Sequence, residues 1–159
     1  MKIFGDLEIK ERKVGNTIGV HFSKAVTDII SCIFDIQFTY PDRIPQQIFF
    51  TTENFQSEFL KALFDDEGSV THSVVIGIHN ENLLNQLKNL LLRFNINTTK
   101  ITKTPYMTKK GTKHKMTFQI RKKDLILFQN KIGFDHPEKA NKLKLYTEKK
   151  TERGIKKNI

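Results

Sequence analysis

Hydrophobic residues recur at intervals of three and four along several stretches of the chain, which is the spacing of amphipathic helices. Most of these stretches begin beside a residue that can cap a helix or start its first turn. We therefore predict five helical segments. They lie near residues 24–34, 54–67, 81–94 and 125–132, with a last one starting near Pro137.

Apolar and polar residues alternate between these helices, as they do in half-buried strands. Turn residues interrupt two of the alternating regions and are compatible with hairpins, at Val14-Gly15-Asn16 and at Lys109-Lys110-Gly111-Thr112. From Asn54 to about Leu143 the predicted order is helix, two strands, helix, two strands, helix. The fold class predicted from this order is α+β. The alternating regions are residues 2–22, 70–79, 98–106 and 113–121.

The last predicted strand separates its side chains into two sets. Met116, Phe118 and Ile120 form an apolar face. The residues between them are long or polar, and they form the opposite face. A one-residue change of register would exchange the two faces. The polar set consists of Lys115, Thr117, Gln119 and Arg121.

Composition limits the classes of protein to which the chain can belong. Its 159 residues suit one domain with a possible appendage, and 38% hydrophobic residues favour a globular fold over disorder. No apolar run approaches the roughly 20 residues that a membrane span needs, and the N-terminus lacks the apolar core of a signal peptide. Cys32 is the single cysteine, so that no internal disulfide can form. We therefore expect a cytoplasmic protein without a membrane partner.

The positive charge of the chain is concentrated in one interval. The net charge is +10, and no carboxylate occurs between Glu81 and Asp124, whereas eleven lysines and arginines do. This excess predicts a polyanionic partner, with nucleic acid favoured over anionic lipid because no basic amphipathic helix accompanies it. The alternative is a solvated basic face without a partner.

Three carboxylates crowd the end of the second predicted helix. Asp65, Asp66 and Glu67 lie in its last turn, where the helix dipole makes each of them unfavourable by roughly 0.3–1 kcal/mol. Gly68 follows where a left-handed residue commonly ends a helix. A bound divalent cation would offset the negative charge. The alternative is a solvated acidic turn that the glycine closes.

The order of residues in this helix resembles a known signature. The segment Leu60-Lys61-Ala62-Leu63-Phe64-Asp65-Asp66-Glu67-Gly68, followed by Ser69-Val70, is similar to the motif of the LAGLIDADG homing endonucleases. Two residues depart from it, because Lys61 and Asp66 stand where the family has small residues. The lead-in Arg43-Ile44-Pro45 and the segment Ile132-Gly133-Phe134-Asp135-His136-Pro137-Glu138-Lys139 also resemble the family.

The resemblance implies an αββαββα half-domain whose antiparallel four-stranded sheet forms a DNA-binding saddle in the major groove. It places this domain at residues 51–147, before a basic tail at 148–159. A strand–helix extension at residues 1–50 is then either a truncated first half-domain or a separate addition. The chain contains one motif, so the resemblance also implies a homodimer that packs motif helix against motif helix.

The resemblance further implies a chemistry: site-specific hydrolysis of double-stranded DNA with Mg²⁺ or another divalent cation. Glu67 would be the metal-binding acid, the main-chain carbonyl of Asp66 a second ligand, and Arg121 the peripheral basic residue of the active site. Two other interpretations remain open, a non-catalytic DNA-binding regulator and an RNA splicing helper. The sequence does not determine the target site.

Alternate side chains of the last two strands are the candidates for reading bases, while the hairpin lysines are candidates for phosphate contacts. Lys100 and Lys103 are expected on the neighbouring strand beside the polar set of the last strand. The complete set of predicted nucleic-acid-binding residues is Lys100, Lys103, Lys109, Lys110, Lys113, Lys115, Thr117, Gln119 and Arg121.

Overall fold

The structure is a computed structural model, and it describes residues 10–14, 17–21, 24–34, 43–108 and 111–155. The chain separates into two compact units, residues 1–41 and 42–159. The described part of the first unit contains an antiparallel hairpin and a helix, as predicted. Residues 2–9 of the predicted extended stretch lie outside the described residues. The elements are β1 (Lys10–Val14), β2 (Thr17–His21) and α1 (Lys24–Phe34).

The second unit confirms the predicted order of helices and strands and the α+β class. Short 3₁₀ helices at Gln46–Phe50 and Lys122–Asp124 precede its first and third α-helices. The last helix continues to Ile155, beyond residue 148 where the tail was predicted to begin. The elements are α2 (Glu53–Glu67), β3 (Gly68–Val70), β4 (Val74–Ile78), α3 (Glu81–Arg93), β5 (Thr102–Thr108), β6 (Gly111–Gln119), α4 (Leu125–Lys131) and α5 (Pro137–Ile155).

The four strands of this unit form one antiparallel sheet in the order β3-β4-β6-β5. Its two central strands pair through Ile76 opposite Phe118 and Gly77 opposite Thr117. Because paired residues point to the same face, Ile76 and Phe118 define one face of the sheet, and Gly77 and Thr117 define the other. The helices α2 and α3 pack against the first of these faces.

The hydrophobic core lies between that face and the helices. Ile76, Phe118 and Ile120 are at most 1% exposed. The ring of Phe64, from α2, lies edge-on against Phe128 of α4 at 5.0 Å between centroids. Five of the six leucines of α3 are buried beside them, and Leu92 is exposed, so that the periodicity seen in the sequence is the periodicity of the packed faces.

Two helices of the second unit begin with a capping side chain. The hydroxyl of Thr52 accepts a hydrogen bond from the amide of Phe55, and the Asn80 side chain accepts one from the amide of Leu83 at 3.0 Å. These oxygens satisfy amides that the first turn leaves without an intrahelical partner. None of the helices in the described ranges is both long and apolar enough to cross a membrane.

Gly68 does not end α2 in the way that the sequence predicted. Its backbone is extended, at φ −83° and ψ 154°, and it begins β3 directly. The glycine is required by space: a Cβ at this residue would lie 2.4 Å from the carbonyl oxygen of Phe64. The prediction of a left-handed residue was therefore wrong, because the chain passes from helix to strand without reversing.

Candidate metal and nucleic-acid site

Neither α2 nor α3 covers the second face of the sheet, and we call it the open face. Alternate residues of β6 lie on it, from Lys113 to Gln119, and Tyr106 and Thr102 of β5 lie beside them. The predicted separation of β6 into an apolar and a polar set is confirmed, since Phe118 and Ile120 are buried on the other side. The open face comprises Ser69, Val75, Gly77, Thr102, Thr104, Tyr106, Lys113, Lys115, Thr117 and Gln119.

Lys103 is not on the open face, contrary to the prediction. It pairs with Met116 and therefore shares the face of the apolar set, although its side chain is exposed. The cause is a one-residue bulge. Between the Thr98–Ile120 bridge and the Thr102–Thr117 pair, the chain leading into β5 advances by four residues. The chain at the end of β6 advances by three over the same interval.

The remaining predicted nucleic-acid residues have different surroundings. Lys100 is exposed within the bulge and belongs to no paired strand. Lys109 and Lys110 lie outside the described residues. Arg121 is exposed just beyond β6, four residues past Thr117, which corresponds to roughly 13 Å of strand.

Glu67 lies at the edge of the open face. The residue after it, Gly68, pairs with Ile76, so that Glu67 comes to the end of the row that contains Gly77. There it lines an open cleft of about 460 Å³ together with Lys115 and Tyr106. The structure thus brings Glu67 together with Lys115, whereas Arg121, the basic residue predicted to assist catalysis, does not line this cleft.

Gly77 makes room for Lys115 in the cleft. A Cβ on Gly77 would lie 2.4 Å from Cε of Lys115 and 2.9 Å from Cγ2 of Thr117. The aliphatic part of the lysine therefore lies flat on the backbone of β4, which leaves its ammonium group at the open face. A larger residue at 77 would displace this side chain.

Two side chains of the cleft, those of His79 and Tyr106, were not among the predicted site residues. Nδ1 of His79 is 2.9 Å from the carbonyl oxygen of His114, and its Nε2 is 3.4 Å from the hydroxyl of Tyr106. A carbonyl only accepts, so Nδ1 carries the proton and Nε2 accepts from the tyrosine in the neutral imidazole. The three residues come from β5, β6 and the end of β4, and no local pattern in the sequence connects them.

The acidic end of α2 contains carboxylates with two different roles. Asp65 accepts hydrogen bonds from the backbone amides of Asp135 and His136, at 3.0 and 3.1 Å. These bonds join the end of α2 to the segment that precedes α5. Asp66 and Glu67 are exposed, and within the described part of the chain neither carboxylate has a hydrogen-bond or ion-pair partner.

Lys61, one of the two departures from the motif, points toward α5. Its ammonium group lies 2.8 Å from Glu58 and 3.6 Å from Asp135. The hydrogen bond to Glu58 raises the pKa of Lys61, and the charge of Asp135 raises it further. The lysine therefore leaves the opposite side of the helix free.

That opposite side is an apolar stripe on the surface. Phe55 is 47% exposed and Ala62 is exposed, while Phe59 and Leu63 are half-buried. These residues are spaced at intervals of four, three and one along α2, so they form a single row that ends at Asp66. The apolar stripe comprises Phe55, Phe59, Ala62 and Leu63, and Asp66 marks its end.

The donors at the end of α2 fit part of a site for a hard cation. Among the described residues no three His, Cys, Asp or Glu side chains are grouped as metal ligands. Mg²⁺, however, commonly takes only one or two carboxylates and completes its shell with water and phosphate oxygens. The exposed carboxylate of Glu67 and the neighbouring main-chain carbonyl of Asp66 could supply such a half-site.

Comparison with known proteins identifies the family. Residues 54–133, half of the chain, match the LAGLIDADG-like domain. The chain therefore belongs to the LAGLIDADG family, as the resemblance of the motif predicted. No curated protein is significantly similar to it in sequence.

The fold is similar to solved structures of the homing endonuclease I-DmoI. For a glycine-to-serine variant of that enzyme, solved with its target DNA and magnesium, the TM-score is 0.55 at 18% identity, over 80% of this chain and 64% of that one. For a structure of its mesophilic variants the TM-score is 0.57 at 19% identity, over 83% of this chain and 62% of that one. For I-DmoI with DNA and manganese the TM-score is 0.53 at 19% identity, over 79% of this chain and 64% of that one. The chain thus spans less than two thirds of the length of these relatives.

Proposed function

We propose that this protein is a divalent-cation-dependent endonuclease that binds double-stranded DNA across the open face and cleaves it as a homodimer. The placement of Glu67 carries the proposal. This carboxylate has no partner among the described residues, and it lies at the edge of a face that otherwise bears basic, neutral polar and small side chains. Structures of I-DmoI with its target DNA in the presence of magnesium, and with DNA and manganese, support the proposal through a shared fold.

The open face suits the major groove. That groove is about 12 Å wide and admits a two-stranded β-ribbon, whose alternate side chains then reach the base edges. Lys115, Thr117 and Gln119 project in this way from β6, and Lys113 extends the row toward the hairpin end. Arg121 and Lys100 flank the face and would contact phosphates, which contributes affinity without sequence information.

Different residues of the chain would have different roles in cleavage. Glu67 and the carbonyl of Asp66 would hold the cation, and Lys115 would orient the phosphate in the cleft that it shares with Glu67. Tyr106, held by His79, forms another wall of this cleft. When bound, a divalent cation supplies Lewis-acid activation of water and of the phosphate.

A second copy of the chain would complete the site. Each chain contributes the exposed carboxylate of Glu67, next to Asp66 at the end of the apolar stripe on α2. A two-fold axis that runs beside the stripe and nearly parallel to α2 brings the two ends together. The small side chain of Ala62 permits close approach of two helices. The resulting dimer would favour a nearly palindromic DNA site.

Replacement of Glu67 by Gln tests the proposal. We expect wild type to nick sites in a randomised DNA library with Mg²⁺, and Glu67→Gln to bind the selected site with unchanged affinity but not to cut it. Metal-free stability should hold or rise by a few tenths of a kcal/mol, because an anion leaves a helix C-terminus. Glu138→Gln, at an exposed position of α5, is the matched control and should cut normally.

Three results would contradict parts of the proposal. Cutting by Glu67→Gln at the wild-type rate would remove Glu67 from the mechanism. DNA binding without nicking by wild type would favour the non-catalytic regulator. An affinity for DNA that does not fall with salt, where a log–log slope of about −0.9 per neutralised phosphate is expected, would reject DNA as the ligand.

A further inference from the structure

The acidic end of α2 takes its compensating charge from another helix. α2 has no basic residue in its last turn, although Asp65, Asp66 and Glu67 all lie there. The ammonium group of Lys139, from α5, lies 2.5 Å from the main-chain oxygen of Asp65 and 3.4 Å from that of Phe64. A cation at the last carbonyls is favourable because those groups carry the negative end of the helix dipole.

A side chain of α2 also binds the main chain just before α5, which joins the two helices a second time. The carboxylate of Asp65 accepts from the amides of Asp135 and His136, directly before the first turn of α5. Lys139 therefore reaches back to α2 while Asp65 reaches forward to α5. The Lys139 ammonium also lies 6.0 Å from the centre of the Phe134 ring.

These hydrogen bonds lie next to the residues that would bind the metal. The oxygen of Phe64 accepts both from Lys139 and from the amide of Gly68, the residue after Glu67. Asp66 and Glu67 thus lie between two fixed points, the carbonyl of Asp65 and the amide of Gly68. Within the described ranges their own side chains make no hydrogen bond or ion pair that could fix the turn.

We propose that Lys139 is a positioning residue: it orients the turn that presents the Asp66 carbonyl and the Glu67 carboxylate. This inference rests on the proposed function, since it assigns Lys139 a role at the same site. Lys139 contacts neither the cation nor DNA in this role. It acts through the main-chain oxygens of Phe64 and Asp65, as groups outside the ligand shell orient metal ligands elsewhere.

A purely electrostatic role and a positioning role of Lys139 predict opposite changes in cation affinity when the lysine is removed. The inference can therefore be tested. If Lys139 acted only as a nearby positive charge, its removal would strengthen binding of a divalent cation by reducing repulsion. If it orients the turn, its removal weakens binding, and groups of this kind typically change metal affinity by about 10- to 100-fold.

The first experiment measures Mn²⁺ binding to the complex of the protein with its selected DNA site, by electron paramagnetic resonance. Lys139→Met should weaken Mn²⁺ binding by about 10-fold or more without changing DNA affinity, and Lys139→Arg should restore part of it. Lys142→Met, on the same helix, removes a lysine that pairs only with Glu138 among the contacts described, and should bind as wild type does. Unchanged or tighter Mn²⁺ binding by Lys139→Met would overturn the inference.

The second experiment follows amide hydrogen exchange in the metal-free protein by NMR. Lys139→Met should accelerate exchange of the Gly68 amide, while the amide of Leu90, buried in α3, exchanges as in wild type. Equal acceleration at both residues, or none at Gly68, would show that Lys139 does not position the turn. If wild type binds no Mn²⁺ with DNA, the proposed metal-dependent function fails, and the exchange of Gly68 alone decides the role of Lys139.

Discussion

The two sides of α2 differ in polarity from those of an ordinary surface helix. Its inner side buries two polar residues, Gln56 and Ser57, together with Leu60 and Phe64. Its outer side exposes the apolar stripe, in which Phe55 is 47% exposed. The comparison shows that burial within one chain does not account for all the apolar residues of this helix.

The polar residues of the inner side are tolerated because each has its hydrogen bonds. The side-chain amide nitrogen of Gln56 donates to the carbonyl oxygens of Ile48 and Thr51, at 3.0 and 3.1 Å. The hydroxyl of Ser57 donates to the carbonyl oxygen of Lys131. These bonds tie α2 to the segments before and after it. The inner side therefore stabilises the monomer, and we assign the outer side to the proposed dimer.

The largest effect is expected from Phe64→Ala. This residue is fully buried against Phe128, and removal of a buried phenylalanine costs about 3–5 kcal/mol of folding stability. Urea unfolding at low protein concentration, where dimerisation contributes little, measures the loss. A loss below that of Phe59→Ala in the same assay would reverse the assignment of the two sides.

The second effect is expected from Phe59→Ala in the stripe. It should weaken dimerisation by about 2 kcal/mol or more, as aromatic residues at the centre of interfaces do. Sedimentation equilibrium measures this change, and Phe50→Ala, whose ring is 80% exposed and lies off α2, is the control. A wild-type protein that stays monomeric with and without DNA would disprove the homodimer.

The third effect concerns Asp66, which ends the stripe where the family has a small residue. In the proposed dimer the two Asp66 carboxylates approach each other, so Asp66→Ala should tighten metal-free dimerisation by about 1 kcal/mol. Asp65→Ala should instead lower the stability of the monomer by about 1–3 kcal/mol, because two backbone amides lose their acceptor. Identical effects of the two substitutions would argue against this division.

The smallest effect is expected from Lys61→Ala. Its ion pairs are near the surface and are worth about 0.2–1 kcal/mol. Because Lys61 points toward α5, the substitution should leave dimerisation unchanged even though a small residue is usual there. A marked change in the sedimentation of this variant would place Lys61 in the interface.

Local physics made much of the fold predictable. Helical periodicity and the capping oxygens of Thr52 and Asn80 involve residues three or four apart, so the sequence alone determined where α2 and α3 begin. The alternation in β6 is equally local, and it separated Lys115 from Phe118 correctly. The acidic end of α2 was identified from the motif itself.

Contacts between distant residues decided the rest. A one-residue bulge moved Lys103 to the other face, and only strand pairing reveals such a shift. The cleft joins Glu67 to Lys115 rather than to Arg121 because β4 and β6 are neighbours in the sheet. Lys139 stands 74 residues beyond Asp65 in the chain, yet its ammonium group lies on that residue's carbonyl oxygen. No periodicity encodes such a contact, since it arises from the packing of whole elements against one core.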